Sequence, residues 1–130
     1  MSARRFDPLL FAGDFVALLL FAALGRTSHG LTLTPGEIVT TALPFLVVWY
    51  PVGLWLRAFR ADAVASPLAA ARRAALAWLL AWPLGLQLRA LILQRSVPFT
   101  FALLVLLTNL ALLVGWRTAY AFWLSRSPRR

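Results

Sequence analysis

The chain has 130 residues, 62% of them hydrophobic, with thirteen arginines, no lysine, four acids, one histidine and no cysteine. Soluble domains are usually about 45–50% apolar and about 25% charged; here 13% are charged and mean hydropathy is +0.80, which excludes an ordinary water-soluble globule. Without cysteine there are no disulfides, thiolate nucleophiles or iron–sulfur clusters, and one histidine with one methionine leaves no paired-histidine metal site or two-ligand haem.

A helix crossing the ~30 Å hydrocarbon core needs about 20 mostly apolar residues. The first such run is 8–25, PLLFAGDFVALLLFAALG, interrupted only by Asp14. The second, 38–56, carries no charge. The third, 74–94, holds Arg89, and the fourth, 99–124, holds Asn109 and Arg117. The runs are continuous and rich in Leu and Ala, without the period-2 alternation of a lipid-facing barrel strand. The expected fold is all-α: a bundle of four transmembrane helices forming one integral membrane domain over residues 1–130, with connections too short for a separate soluble domain.

Local signals agree with these borders. Thr34-Pro35-Gly36-Glu37 puts Thr at an N-cap, Pro at the first helical position and Glu at the third, a capping box. Ser66-Pro67 repeats the entry, so the third helix should begin in the interface before Arg72. Ser96-Val97-Pro98 makes a tight connection into the fourth. Pro44, Pro51 and Pro83 lie within spans, where they should kink the helices without ending them.

Arginine placement gives the orientation. Arg4, Arg5, Arg57, Arg60, Arg72, Arg73, Arg126, Arg129 and Arg130 fall on one side of a four-span protein, opposite only Arg26 and Arg95. Both termini are therefore expected in the cytoplasm and the protein in the inner membrane. Ala23-Leu24-Gly25 mimics a signal-cleavage site, but Asp14 within the apolar run and three further spans argue against cleavage. A net charge of +9 would raise nucleic-acid binding in a soluble domain. Here the arginines end apolar runs, so the expected partners are the bilayer and its anionic headgroups, not nucleic acid. A second copy or another membrane protein is a further candidate.

Several short motifs stand out: Gly13-Asp14, the turn Gly25-Arg26-Thr27-Ser28-His29-Gly30, Leu33-Thr34-Pro35-Gly36, Trp82-Pro83-x-Gly85-x-x-x-Arg89 and Gly115-Trp116-Arg117. Together they resemble the domain of unknown function 3054 family, small four-span bacterial and archaeal membrane proteins. The resemblance implies a fold and a membrane location; it brings no activity, substrate or cofactor.

The embedded polar groups are the candidate ligand-binding residues: Asp14, Arg89, Asn109 and Arg117. Asp14 and Arg117 lie at similar depth on the first and last spans, so either they pair to fix helix packing or Asp14 holds a proton or cation. A partnerless charge there costs on the order of 3 kcal/mol. Arg89 shares a helical face with Trp78, Trp82 and Gly85. That face is either a packing seam whose arginine snorkels or pairs with Glu37, or an anion site built on a guanidinium fork. Asn109 either bonds to another helix or lines a solute path. Arg26, His29 and Glu37 form a candidate polar cluster in the loop opposite the termini. Trp49, Tyr50, Trp55, Trp116, Tyr120 and Trp123 read as an interfacial aromatic belt. No catalytic triad, phosphate loop or metal motif is present, so an enzyme is not expected. The leading expectation is a structural or accessory membrane protein; the alternatives are a small oligomeric transporter or channel and a lipid-binding protein.

Overall fold

A computed structural model describes residues 4–28, 30, 31 and 33–127. It contains four long helices: α1 (Pro8–Ser28), α2 (Pro35–Trp55), α3 (Pro67–Leu93) and α4 (Phe99–Arg126). A short 3-10 turn, Ala61–Val64, lies between α2 and α3. All four helices are long and apolar enough to cross a membrane. This is the architecture of a small multi-pass membrane protein.

Three helices begin with a capping residue followed by proline. Asp7 Oδ1 accepts from Leu9 N at 3.0 Å, Thr34 Oγ1 from Glu37 N at 3.3 Å, and Ser66 Oγ from Ala69 N at 3.1 Å. Each side chain satisfies an amide the first helical turn leaves over, and the proline has no amide to satisfy. At the other end of α3, Gln94 takes the left-handed conformation, φ 56°, and stops the helix. Pro44, Pro51 and Pro83 sit inside α2 and α3, which continue through them.

The helices run up and down in a ring. α1 packs on α2 and α4, and α3 also packs on α2 and α4, so α1 and α3 stand diagonally. Lipid tails are as apolar as leucine, so close packing and hydrogen bonds must hold such a bundle together. The inward faces provide for this. On α3 the buried residues are Ala70, Ala74, Ala77, Trp78, Ala81 and Gly85, small positions that admit a neighbouring helix. On α4 they are Val105, Asn109, Leu113, Arg117 and Ala121, one every four residues. The outward faces are leucine-rich.

At the end holding the termini, the chain before α1 lies against the loop after α2. Phe6 and Arg60 form an antiparallel bridge, Asp7 N donates to Phe59 O at 2.7 Å, and Ala61 N donates to Arg5 O at 2.8 Å. This tucks Ala58 and Phe59 into the bundle, where both are buried.

Candidate functional site

The sequence leaves two questions for the geometry: whether Asp14 and Arg117 meet, and what Arg89 faces. Asp14 and Arg117 do meet. Arg117 presents its guanidinium side-on, Nε donating to Asp14 Oδ1 at 3.0 Å and Nη2 donating to Oδ2 in a short hydrogen-bonded ion pair. Both side chains have no exposed surface.

Two tryptophans complete the arrangement. Trp116 Nε1 donates to Asp14 Oδ1 at 2.8 Å, and Trp49 Nε1 donates to Oδ2 at 2.9 Å. An ionised carboxylate has about four acceptor positions, and here each oxygen takes two N–H donors. Arg117 Nη1 donates to Ala58 O at 2.7 Å. The guanidinium carbon also lies 5.4 Å from the centroid of the Phe59 ring and 5.9 Å from that of Trp49. One carboxylate therefore ties α1, α2 and α4 together, and the cation beside it reaches the loop after α2.

Gly13 makes room for this. A β-carbon at position 13 would overlap the six-membered ring of Trp116, so glycine lets the indole reach the neighbouring carboxylate. Next to the ion pair, Tyr120 Oη donates to Asp7 Oδ2 at 2.8 Å and Tyr50 Oη to Phe11 O at 2.8 Å. The aromatic-belt reading is therefore corrected for Trp49, which is fully buried, while Tyr50, Trp116 and Tyr120 are partly buried and spend their polar atoms inside the fold. Trp49 and Trp116 bond to the internal carboxylate, and Tyr50 and Tyr120 bond within the fold. Trp55, 74% exposed, and Trp123, 55% exposed, face outward as belt residues would.

Asn109 is fully buried. It neither bonds to another helix nor lines either cavity described below: Nδ2 donates to Val105 O of its own helix at 3.1 Å, and Oδ1 has no partner among the described residues. The face of Trp78, Trp82 and Gly85 is a packing seam. The indoles donate to Leu106 O at 3.0 Å and Ala102 O at 2.9 Å on α4, and Gly85 receives the Phe45 ring of α2.

Arg89 stands apart from all of these, at the end of the bundle away from the termini. Its guanidinium lies over the Phe101 ring, 4.3 Å from the centroid, and lines a cavity of about 320 Å³. Arg26 and Thr41 line the same cavity amid apolar side chains. A second cavity, about 310 Å³, shares Arg89 and Phe101 with the first and is lined also by Arg95 and Ser96. Neither cavity is lined by Asp14, Asn109 or Arg117. Glu37 accepts from Thr34 Oγ1 at 2.8 Å and sits 3.7 Å from Arg26, so its cationic neighbour is Arg26 instead of Arg89. His29, the third member of that expected cluster, lies outside the described residues. Among the described residues no three His, Cys, Asp or Glu side chains gather into a metal-sized group.

Sequence reasoning found the ion pair and missed its two indole donors. Both tryptophans lie toward helix ends, where tryptophan usually marks the interface. A signal was available for Trp116 alone: it precedes Arg117, as Gly13 precedes Asp14.

No curated protein and no solved structure matches the chain. A family model, described as "Protein of unknown function (DUF3054)", matches residues 11–120, a stretch that holds Gly13, Asp14, Trp49, Arg89, Trp116 and Arg117. The chain belongs to that family.

Proposed function

We propose that this is a non-enzymatic structural or accessory protein of the inner membrane, with both termini in the cytoplasm, acting through its assembled bundle and not by moving a solute past its embedded charges. The observation that carries this reading is the saturation of Asp14. A carboxylate that relays protons or cations needs a free acceptor position and a route to water. Asp14 accepts from Trp49, Trp116 and twice from Arg117, and neither described cavity is lined by it. The four candidate residues also divide, with Arg89 in the cavity wall and the other three inside the bundle, which favours no common path. The orientation is supported by Arg57, Arg60 and Arg73, which gather at the end holding the termini, where Arg60 and Arg73 approach Asp62.

Reconstituted vesicles provide the test. With an imposed proton or anion gradient, the wild-type protein should give the flux of empty vesicles. A gradient-driven flux that Asp14→Asn or Arg89→Gln abolishes would make the protein a transporter instead. Reporter fusions at residue 30, in the segment 60–66 and at the C-terminus check the orientation; a C-terminal reporter active only outside the cytoplasm overturns it.

A further inference from the structure

Arg117 has a carboxylate, a carbonyl and two aromatic faces around it. Arg89 has neither the carboxylate nor the carbonyl. Among the described residues it makes no hydrogen bond and no ion pair, only the stack on Phe101. A guanidinium carries five N–H donors, and in a membrane-embedded helix their partners must be water, lipid or ligand.

The cavity beside Arg89 indicates which. Arg26 lines it too, held by Nη1 donating to Thr41 Oγ1 at 3.2 Å. The two cations sit in a wall that is otherwise largely hydrocarbon, with side chains from all four helices. Leu24, 48% exposed, and Leu104, 55% exposed, belong both to this wall and to the outward surface of the bundle. The cavity therefore opens sideways, between α1 and α4, toward lipid. From Phe101 to Thr108 it follows α4 for about 10 Å at 1.5 Å per residue, against about 15 Å for half of a ~30 Å hydrocarbon core. It spans much of the depth of one leaflet. Its volume of about 320 Å³ is in the range of small-molecule sites, roughly 300–1,000 Å³.

We infer that this cleft is a binding site for an anionic phospholipid of the leaflet at that end of the bundle, its phosphate on Arg89 and Arg26 and an acyl chain along Phe101 to Thr108. Guanidinium groups suit phosphate oxygens, and two of them line this one cavity, Arg26 with the Glu37 carboxylate 3.7 Å from it. The apolar wall disfavours a small hydrated anion, which would lose its water there without replacement. The choline of a zwitterionic headgroup would bring a cation toward two others. The Arg89 guanidinium carbon lies 4.3 Å from the centroid of the Phe101 ring, a cation–π contact that keeps it in the cavity wall.

The test uses the full chain purified in neutral maltoside detergent, with melting temperature and native mass spectrometry as readouts. Dioleoyl phosphatidylglycerol should raise the wild-type melting temperature by several degrees and remain bound in the spectrometer. Dioleoyl phosphatidylcholine and inorganic phosphate should do neither. Without lipid, Arg89→Ala loses the Phe101 contact but no internal hydrogen bond and should melt only slightly below wild type; it should bind phosphatidylglycerol about tenfold more weakly or worse, the loss of a charge-assisted hydrogen bond. Arg89→Lys should fall between. Thr108→Phe keeps both arginines and fills the chain end of the cleft, and should weaken binding as well. Arg72→Gln, an exposed arginine at the opposite end, should bind like wild type. Three results would each overturn the inference: equal stabilisation by the phosphatidylcholine, equal stabilisation by inorganic phosphate, or wild-type lipid affinity in both Arg89→Ala and Thr108→Phe.

Discussion

Gly13 and Trp116 share one volume: the indole of α4 stands where a side chain on α1 would begin. The relationship matters because the same indole delivers its N–H to the neighbouring Asp14. Close helix approach and the hydrogen bond from Trp116 to the carboxylate are thus one event.

Gly13→Ala should therefore destabilise the bundle by about 1–3 kcal/mol, the usual cost of overpacking. Its effect should be smaller in a Trp116→Leu background, where the obstructing ring is gone. A double-mutant cycle on melting or denaturant midpoints checks this; additive losses would mean that the two residues do not touch.

Trp116→Phe and Trp49→Phe keep a ring and remove one N–H each from Asp14. Each should cost about 1.5–3 kcal/mol, the range for hydrogen bonds to charged groups. Chemical denaturation in detergent micelles measures it, and a change below about 0.5 kcal/mol in both variants would remove the indoles from the account.

Asp14→Asn leaves Arg117 buried beside a neutral amide and should cost about 3–5 kcal/mol, as loss of one partner does in buried pairs. From sequence alone, exchanging the charges in Asp14→Arg with Arg117→Asp would be expected to recover part of this loss. The geometry predicts little recovery. Trp49 and Trp116 can only donate, and in the exchanged protein both indole N–H groups point at a guanidinium. The stability of the double variant decides between these expectations.

Tyr120→Phe removes the bond to Asp7, a half-buried contact worth about 0.5–1.5 kcal/mol. Its effect should be local: faster amide exchange at Asp7 and Ala61, whose N–H groups join the segment before α1 to the loop after α2. Faster exchange throughout α4 would argue against this assignment.

Much of the fold was legible because membrane helices declare themselves by length and hydropathy, and because Thr34-Pro35 and Ser66-Pro67 punctuate two of them. Asp7-Pro8 has the same form and caps α1. The Asp14–Arg117 pair was legible from matched depth alone. The direction each helix faces was not, since helices that are apolar all round carry little amphipathic signal. That is why Trp49 could be read as an interfacial residue when it is fully buried, and why Asn109 was expected to reach another helix when its amide turns back to Val105. The contribution of Ala58 O depended on a loop folding inward, held by backbone bonds that leave no pattern in side-chain type.

The separation of Asp14 from Arg117, 103 residues along the chain, bears on how the protein is made. Synthesis delivers α1 to the bilayer with an acid whose counter-ion does not yet exist. Its leucines and phenylalanines, each favouring insertion by about 0.3–0.6 kcal/mol, offset the roughly 2.5–3.5 kcal/mol of one aspartate. Trp49, 35 residues on, is the first of the four bonds available, as soon as the α1–α2 hairpin forms. The other three must wait for the last helix to leave the ribosome. Assembly is thus completed from the C-terminal side, and a nascent chain stopped before α4 leaves Asp14 without three of its four hydrogen bonds.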